Sequence, residues 1–327
     1  MPKIVLVEPM HESARRVLEA RGDYDVTMLP PKTPPSEMLE ACRGAHGIGV
    51  RIASLPASML AEMLNLKVIA KHGVGTDNID IPYCTDHGIR VAITANANKD
   101  SVVEQTLMLM LALAKRLVHL DREVRAGNFH VRSRPEFFGF DLRGRTVMVI
   151  GVGRIGTALI PMLHALGMKT IACDPLMDQA KADRLGTEKI DDFRAHLHRA
   201  DLLTVHIPLT PENRNLIGAA EFATLPRHAF VINCARGGIV DEAALIAALN
   251  ADQIAGAASD VFDGEPPPPD HPFFDVDASR LLLAPHAAGN TIECLERMAI
   301  DTAENIIAAL EDRISADMLF NPEVLAR

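Results

Sequence analysis

At 327 residues, 48% of them hydrophobic, the chain is longer than one hydrophobic core usually serves, so two domains are expected. A net charge of -10 without a basic tract argues against nucleic acid as a partner, and means that an anionic substrate would need local arginines. Five scattered cysteines without a Cys-x-x-Cys pair indicate neither a disulfide framework nor a metal site, which fits a reducing cytoplasm.

The first apolar run, residues 4–7, reads as a buried strand; Glu8 closes it too early for a secretory signal. Helical spacing follows over 13–21, a strand over 24–29, and a turn marked by Pro30, Pro31, Pro34 and Pro35. Helix 37–42, strand 47–50, helix 56–64 and strand 67–70 continue the alternation, which predicts a parallel sheet with helices on both faces. Lys71 to Asp80 then brings two glycines and an Asp/Asn-rich turn directly after a strand. That is either a turning device or a loop with backbone N–H groups facing a ligand. Residues 96–100 form a polar break and a candidate hinge. Ser101 and Glu104 have capping-box spacing ahead of a helix expected over 101–127. That helix is apolar around much of its circumference, which predicts burial in a core or, as the favoured reading, in a subunit interface. Its run over 106–114 is too short to span a bilayer and is flanked by Glu104, Gln105, Lys115 and Arg116, so no membrane partner is expected. Residues 130–140 form an irregular basic and aromatic connection.

A strand at 147–150 runs into Gly151-Val152-Gly153-Arg154-Ile155-Gly156, and a helix is expected from 157 to 166. This is the G-x-G-x-x-G spacing of a dinucleotide-binding turn. Gly151 permits the tight turn, Gly153 lets a pyrophosphate approach the backbone, and Gly156 lets helix and strand pack closely. The helix N-terminus offers N–H groups and partial positive charge to the phosphates. Asp174 ends the next strand, where it can accept hydrogen bonds from the ribose of NAD. It would repel the extra phosphate of NADP.

Beyond Asp174 a mostly helical, polar stretch is expected over 185–198, then a strand over 201–208 ended by proline, one within 230–238 that ends in a loop carrying an arginine, a helix at 241–249, and strands over 255–262 and 281–286. A long helix over 291–310 closes the chain. Polar residues lie just past these strands: His206, Arg236, Asp260 with Glu265, and His286. In an open parallel sheet, ligands bind beyond the carboxyl ends of the strands. Hydride transfer between NADH and a 2-oxo acid needs a planar, permanently charged clamp, which arginine supplies. It needs a proton donor with a pKa near neutrality, and a carboxylate to orient that histidine.

Taken together, Gly73-Val74-Gly75-Thr76-Asp77-Asn78-Ile79-Asp80, the glycine motif, His206-Ile207-Pro208, Asn233 to Gly238, Asp260 to Pro266 and Pro285-His286 resemble the D-isomer-specific 2-hydroxy-acid dehydrogenase family along essentially the whole chain. The resemblance implies two doubly wound parallel-sheet α/β domains. A Rossmann NAD domain, residues 100–287, is inserted in a discontinuous flavodoxin-like substrate domain, residues 1–99 and 288–327, with hinges near 96–100 and 287–290. It makes Arg236 the substrate-orienting arginine, His286 the acid/base and Glu265 its partner. NAD would lie against Gly151, Gly153, Arg154, Ile155, Gly156, Asp174, His206, Ile207, Pro208, Cys234, Ala235, Arg236, Asp260, His286 and Gly289. A small anionic 2-hydroxy or 2-oxo acid would meet Val74, Gly75, Arg236 and His286, with Arg51 near a distal group. Domain closure would exclude water, and a homodimer would form through the helix after Ser101.

Substrate choice is where the pattern is loosest. Ile52-Ala53 lacks the small polar residue that follows the arginine in phosphoglycerate dehydrogenases, and Ala287 replaces a bulkier residue. The sequence stops soon after the closing helix, so the regulatory domain that some phosphoglycerate dehydrogenases append is not expected. Glu265, where formate dehydrogenases carry glutamine, argues against formate. The phosphoglycerate, hydroxypyruvate or glyoxylate type is the leading expectation. A dinucleotide-sensing protein of corepressor type and a phosphite oxidase are the competing readings. Lys71, His72, Arg132 and Arg134 could each approach a distal anion or simply be solvated.

Overall fold

The computed structural model describes residues 1–326. In chain order the elements are β1 Lys3–Leu6, α1 Ser13–Glu19, β2 Asp25–Met28, α2 Pro35–Cys42, β3 Gly47–Val50, α3 Ala57–Leu60, β4 Val68–Lys71, α4 Ile81–Asp86 and β5 Arg90–Ile93. Then come α5 Lys99–Ala114, α6 Leu117–Arg125, β6 Thr146–Ile150, α7 Arg154–Ala165, β7 Lys169–Cys173, α8 Gln179–Leu185, β8 Glu188–Ile190 and β9 Leu202–Val205. The remainder is α9 Ala219–Thr224, β10 Phe230–Asn233, α10 Glu242–Asn250, β11 Gly256–Ser259, β12 Leu281–Leu283 and α11 Ile292–Leu310. The chain divides into two compact units, Met1–Asn98 with Gly289–Arg327, and Lys99–Ala288.

The first unit is a five-stranded parallel sheet in the order β2-β1-β3-β4-β5. Successive side chains of a strand point to opposite faces. Ile4 and Leu6 therefore pack with Ala14 and Leu18 of α1 and Ala303 and Ile306 of α11. Val5 and Val7 pack with Cys42, Leu60 and Cys84 on the other side. Burial on both faces explains why these strands read as continuous apolar runs.

Polar groups gather past the strand ends of this unit. One oxygen of Glu8 accepts the N–H groups of Arg51, Ile52 and Ala53 at 2.6, 2.8 and 3.1 Å. Lys71 is buried. Its ammonium donates to the Arg51 carbonyl and, at 2.7 Å, to the Asn78 side chain. His72 is 6% exposed and its Nε2 has no hydrogen-bond partner. Burial, then the charge of Arg51, push its imidazole down to about 4 from the ordinary 6.5, against the raising effect of hydrogen bonding to the backbone of His72 and Leu295. Below about pH 6.5 the unfolded chain therefore takes up a proton that the folded chain refuses until about pH 4. Stability is full above that window and falls through it as pH drops. Urea unfolding at pH 7 and pH 4.5 should show about 2–3 kcal/mol of this loss in the wild type, absent in His72→Gln.

The second unit is a seven-stranded parallel sheet in the order β12-β11-β10-β9-β6-β7-β8. Relative to β6 this is the doubly wound dinucleotide-binding order, extended by one strand. Val147 and Val149 face Leu159 and Leu163 of α7 and Leu109 and Leu113 of α5. Met148 and Ile150 face the other core, with Phe222 of α9 and Leu245 and Leu249 of α10.

Several elements differ from the sequence expectation. The helix expected over 101–127 is two helices. Arg116 takes φ 53°, and the Ala114 carbonyl accepts the Phe140 N–H at 2.9 Å, so the first helix ends there. A Cβ on Gly139 would lie 2.4 Å from that carbonyl, so glycine is what allows the chain to pass. α5 begins at Lys99, which puts Ser101 inside the first turn, buried, rather than at its cap. Most of α5 is buried in the core of its own unit, against α7, β10 and β11. Met108 and Leu111 on α5, with Leu117, Val118 and Val124 on α6, stay exposed. The polar stretch 185–198, expected to be helical, instead holds edge strand β8 and a short 3-10 turn at Arg194–Arg199. α3 spans four residues where nine were expected, and α9 and β5 had no counterpart in the sequence reading.

Among the described residues, no helix is long and apolar enough to cross a membrane. No group of His, Cys, Asp and Glu there could hold a metal ion.

Candidate active site

In the seven-stranded unit every strand pair is parallel, so the carboxyl ends of β6, β7, β9, β10, β11 and β12 open on one edge of the sheet. Gly151 leaves β6 with φ 92°, and a Cβ there would stand 2.5 Å from the His206 carbonyl. A Cβ on Gly156 would meet the Gly151 carbonyl at 2.2 Å, which is how closely α7 packs on the turn. Gly153 is the opposite case: a Cβ there would meet nothing within 4 Å. Open space over a glycine at the N-terminus of α7, with Arg154 exposed beside it, fits a pyrophosphate held by backbone N–H groups. Asp174 is half-exposed at the end of β7. Its oxygens accept Val152 N–H at 2.6 Å and Leu176 N–H at 2.7 Å, which fixes the carboxylate beside the glycine turn. Lys181 of α8 donates to the Val152 carbonyl at 2.5 Å, a second tie to the same turn that the motif did not announce.

His206 follows β9. Burial pushes its imidazole down to about 4, so the ring is neutral, with Nε2 3.0 Å from Thr204 Oγ1 and Nδ1 without a partner. Ile207 and Pro208 continue the same loop. After β10, Cys234 and Ala235 are buried and Arg236 is half-exposed. Asn233 shapes this turn: its amide donates to the Arg236 carbonyl at 2.8 Å and its oxygen accepts Ala235 N–H at 3.0 Å.

After β11 and β12 the chain brings Glu265 and His286 together, with Oε2 2.6 Å from Nδ1. The other oxygen of Glu265 accepts Phe262 N–H at 3.0 Å. Burial pushes the Glu265 carboxyl up. Hydrogen bonds from His286 and Phe262 and the charges of His286 and Arg236 outweigh it, and the group sits below the ordinary glutamate value. Glu265 is therefore ionised near neutral pH, and it holds a proton on His286 Nδ1. The His286 side chain is 45% exposed, and Nε2 is the ring nitrogen that the Glu265 contact does not use.

His286 occupies the left-handed region, with φ 52°. For a non-glycine residue this costs of order 1–3 kcal/mol. Asp260 offsets it. The Asp260 carbonyl accepts His286 N–H at 2.7 Å, and its two carboxylate oxygens accept Ala287 N–H at 2.8 Å and Ala288 N–H at 2.9 Å. One buried residue thus ties down successive amides of the histidine turn. Burial raises the Asp260 carboxyl despite those hydrogen bonds. The sequence reading gave Asp260 a cofactor contact and missed this use of its carboxylate, which no local pattern marks.

The remaining candidates lie in the five-stranded unit or on surfaces. Val74 and Gly75 form a half-exposed turn between β4 and α4, and Arg51 lies on the loop that Glu8 holds. Gly289 packs near Cys294 and Met298 of α11. Arg134 pairs with Glu136 at 2.5 Å and lies over Phe137, and Arg132 lies over Phe129.

The chain is similar to known proteins in sequence and in fold. The sequence model of the family described as D-isomer specific 2-hydroxyacid dehydrogenase, NAD binding domain, matches residues 107–288. A D-3-phosphoglycerate dehydrogenase of Methanocaldococcus jannaschii is 35% identical over 99% of this chain, which spans 60% of that protein's length. A glyoxylate reductase of Thermofilum pendens is 36% identical over 99% of this chain and 96% of its own. The crystal structure of D-lactate dehydrogenase from Aquifex aeolicus, complexed with NAD and lactic acid, superposes with a TM-score of 0.85 at 25% identity, covering 97% of this chain and 99% of that one.

Proposed function

The chain belongs to the D-isomer-specific 2-hydroxyacid dehydrogenase family, and we propose that it is an NAD-dependent oxidoreductase acting at C2 of a small D-2-hydroxy acid or 2-oxo acid. The observation that carries this is the 2.6 Å pair of His286 and Glu265 at the strand ends, close enough to Arg236 for its charge to act on Glu265. The residues around Gly153 and Asp174 would hold the dinucleotide, which when bound supplies or accepts the hydride. Arg236 holds the substrate's carboxylate and carbonyl oxygens through its planar fork. His286 Nε2 donates a proton to the carbonyl oxygen as negative charge develops there, and takes it back from the hydroxyl in the reverse direction. Glu265 keeps the proton on Nδ1 and the ring in place. Arg51 and the Val74-Gly75 turn are the proposed substrate contacts of the five-stranded unit.

The relatives' names favour substrates of the phosphoglycerate or glyoxylate type among those expected, and favour the enzyme over the sensor reading. The test is NADH consumption by the purified chain with glyoxylate, hydroxypyruvate, 3-phosphohydroxypyruvate, pyruvate and a bulky apolar oxo acid. Turnover of at least one small acid is expected; NADH binding without reduction of any of them would end the proposal. The exposed apolar residues of α5 and α6 support a homodimer, which sedimentation would detect as the mass of two chains.

A further inference from the structure

We propose that Glu242 is a positioning residue for this reaction, acting by fixing the one peptide group that the Arg236 loop and the Glu265 loop share. The inference rests on the dehydrogenase reading of Arg236, Glu265 and His286.

The peptide joining Phe262 to Asp263 has a neighbour on each side. Its carbonyl faces Gly237, the residue after Arg236, where a Cβ would lie 1.8 Å from the oxygen. Its N–H is held by Glu242 Oε1 at 2.8 Å. The preceding amide, Phe262 N–H, is bound by Glu265. Two carboxylates therefore hold consecutive amides of one turn. Glu265 reaches forward from that turn to His286, and Glu242 anchors it from behind, from the first residue of α10.

The other oxygen of Glu242 is also committed. His271 is 7% exposed, boxed by the rings of Phe262, Phe273 and Phe274, with Nε2 3.1 Å from Glu242 Oε2. Its Nδ1 accepts Phe273 N–H at 3.3 Å, so the ring proton belongs on Nε2 and points at the carboxylate. Glu242 thus joins the start of the loop, at Asp263, to its end, at His271, with Glu265 between them. Arg214 adds a tie from outside, donating to both Asp263 oxygens at 2.9 and 2.6 Å. Glutamine cannot replace Glu242 in both contacts. If its oxygen keeps Asp263 N–H, its amide confronts the Nε2–H of His271, and turning that proton to Nδ1 confronts Phe273 N–H.

The experiment compares wild type, Glu242→Gln, Glu265→Gln and the double variant, using the oxo acid the wild type reduces best. Glu242→Gln should lower kcat by about tenfold while KM for NADH stays within about twofold. In the Glu265→Gln background the same change should cost much less, because the group it positions is already gone. His271→Leu, which keeps the apolar box filled, should repeat the pattern with a smaller loss and serves if Glu242→Gln does not fold. A full multiplicative loss in the Glu265→Gln background, or wild-type kcat in folded Glu242→Gln, would overturn the proposal. A wild type that reduces no oxo acid would overturn the dehydrogenase reading, and this inference with it, which separates the two failures.

Discussion

His286→Ala should lower kcat for NADH-dependent reduction of the preferred 2-oxo acid by about 100- to 10,000-fold, while NADH affinity changes by no more than a few fold. The argument is geometric. His286 Nδ1 is committed to Glu265 at 2.6 Å, so on a side chain 45% exposed the remaining nitrogen is the one proposed to meet the substrate. The Asp260 hydrogen bonds to the following amides do not involve the imidazole, so they should keep the turn folded in the alanine variant. Steady-state rates combined with a fluorescence titration of NADH separate chemistry from binding. A loss of only a few fold in kcat would mean that another group delivers the proton. A parallel collapse of NADH affinity would mean that the histidine holds the cofactor rather than the reaction.

Gly237→Ala should be nearly as damaging, although it changes no charged or titratable group. The added Cβ would stand 1.8 Å from the Phe262 carbonyl oxygen, 2.1 Å from its carbon and 2.5 Å from Asp263 N. All three are backbone atoms, so no rotamer change relieves the overlap. The two loops must part, and Arg236 moves away from Glu265. Misplacement on this scale costs about 100-fold in kcat/KM, and the overpacking costs about 1–3 kcal/mol of stability. Gly218→Ala is the control, because the nearest atom to its Cβ is 3.6 Å away and its φ of -126° suits any residue. Equal behaviour of the two variants in thermal unfolding and in kcat/KM would show that the loops are not held as closely as this.

The parts of the site that could be read from the sequence share a cause. In a parallel sheet with helical crossovers, every strand delivers its last residues to the same edge. Short apolar runs ending in His206, Arg236, Asp260 and His286 therefore already described a convergence, before any coordinate did. The glycine turn is legible for a related reason, since positions 151 and 156 leave no room for a Cβ and position 153 keeps open the space over the helix N-terminus. Residues whose task is to hold other residues leave no such trace. Glu242 sits 23 positions before Glu265 and reads as an ordinary helix-initiating acid, while His271 reads as a loop residue after prolines. The sequence reading passed over both.

Local pattern by itself determined that this is an α/β chain with a dinucleotide turn, an acid at the end of the strand that follows it, and an arginine, a glutamate and a histidine at successive strand ends. Those features depend on side-chain period, glycine geometry and chemical type, all of which act within a few residues. Tertiary structure alone decided where the helix after the polar break stops, because the Ala114 carbonyl bonds to Phe140 and the chain passes through Gly139. It alone decided that the polar run at Glu188–Ile190 is a strand, since an edge strand takes its hydrogen bonds from β7 and not from its own pattern. It alone gave Asp260 the amides of the histidine turn and Glu242 the peptide between two loops. Each of these is a pairing between groups distant in sequence, and such a pairing acquires an energy only when the fold brings its partners within hydrogen-bond distance.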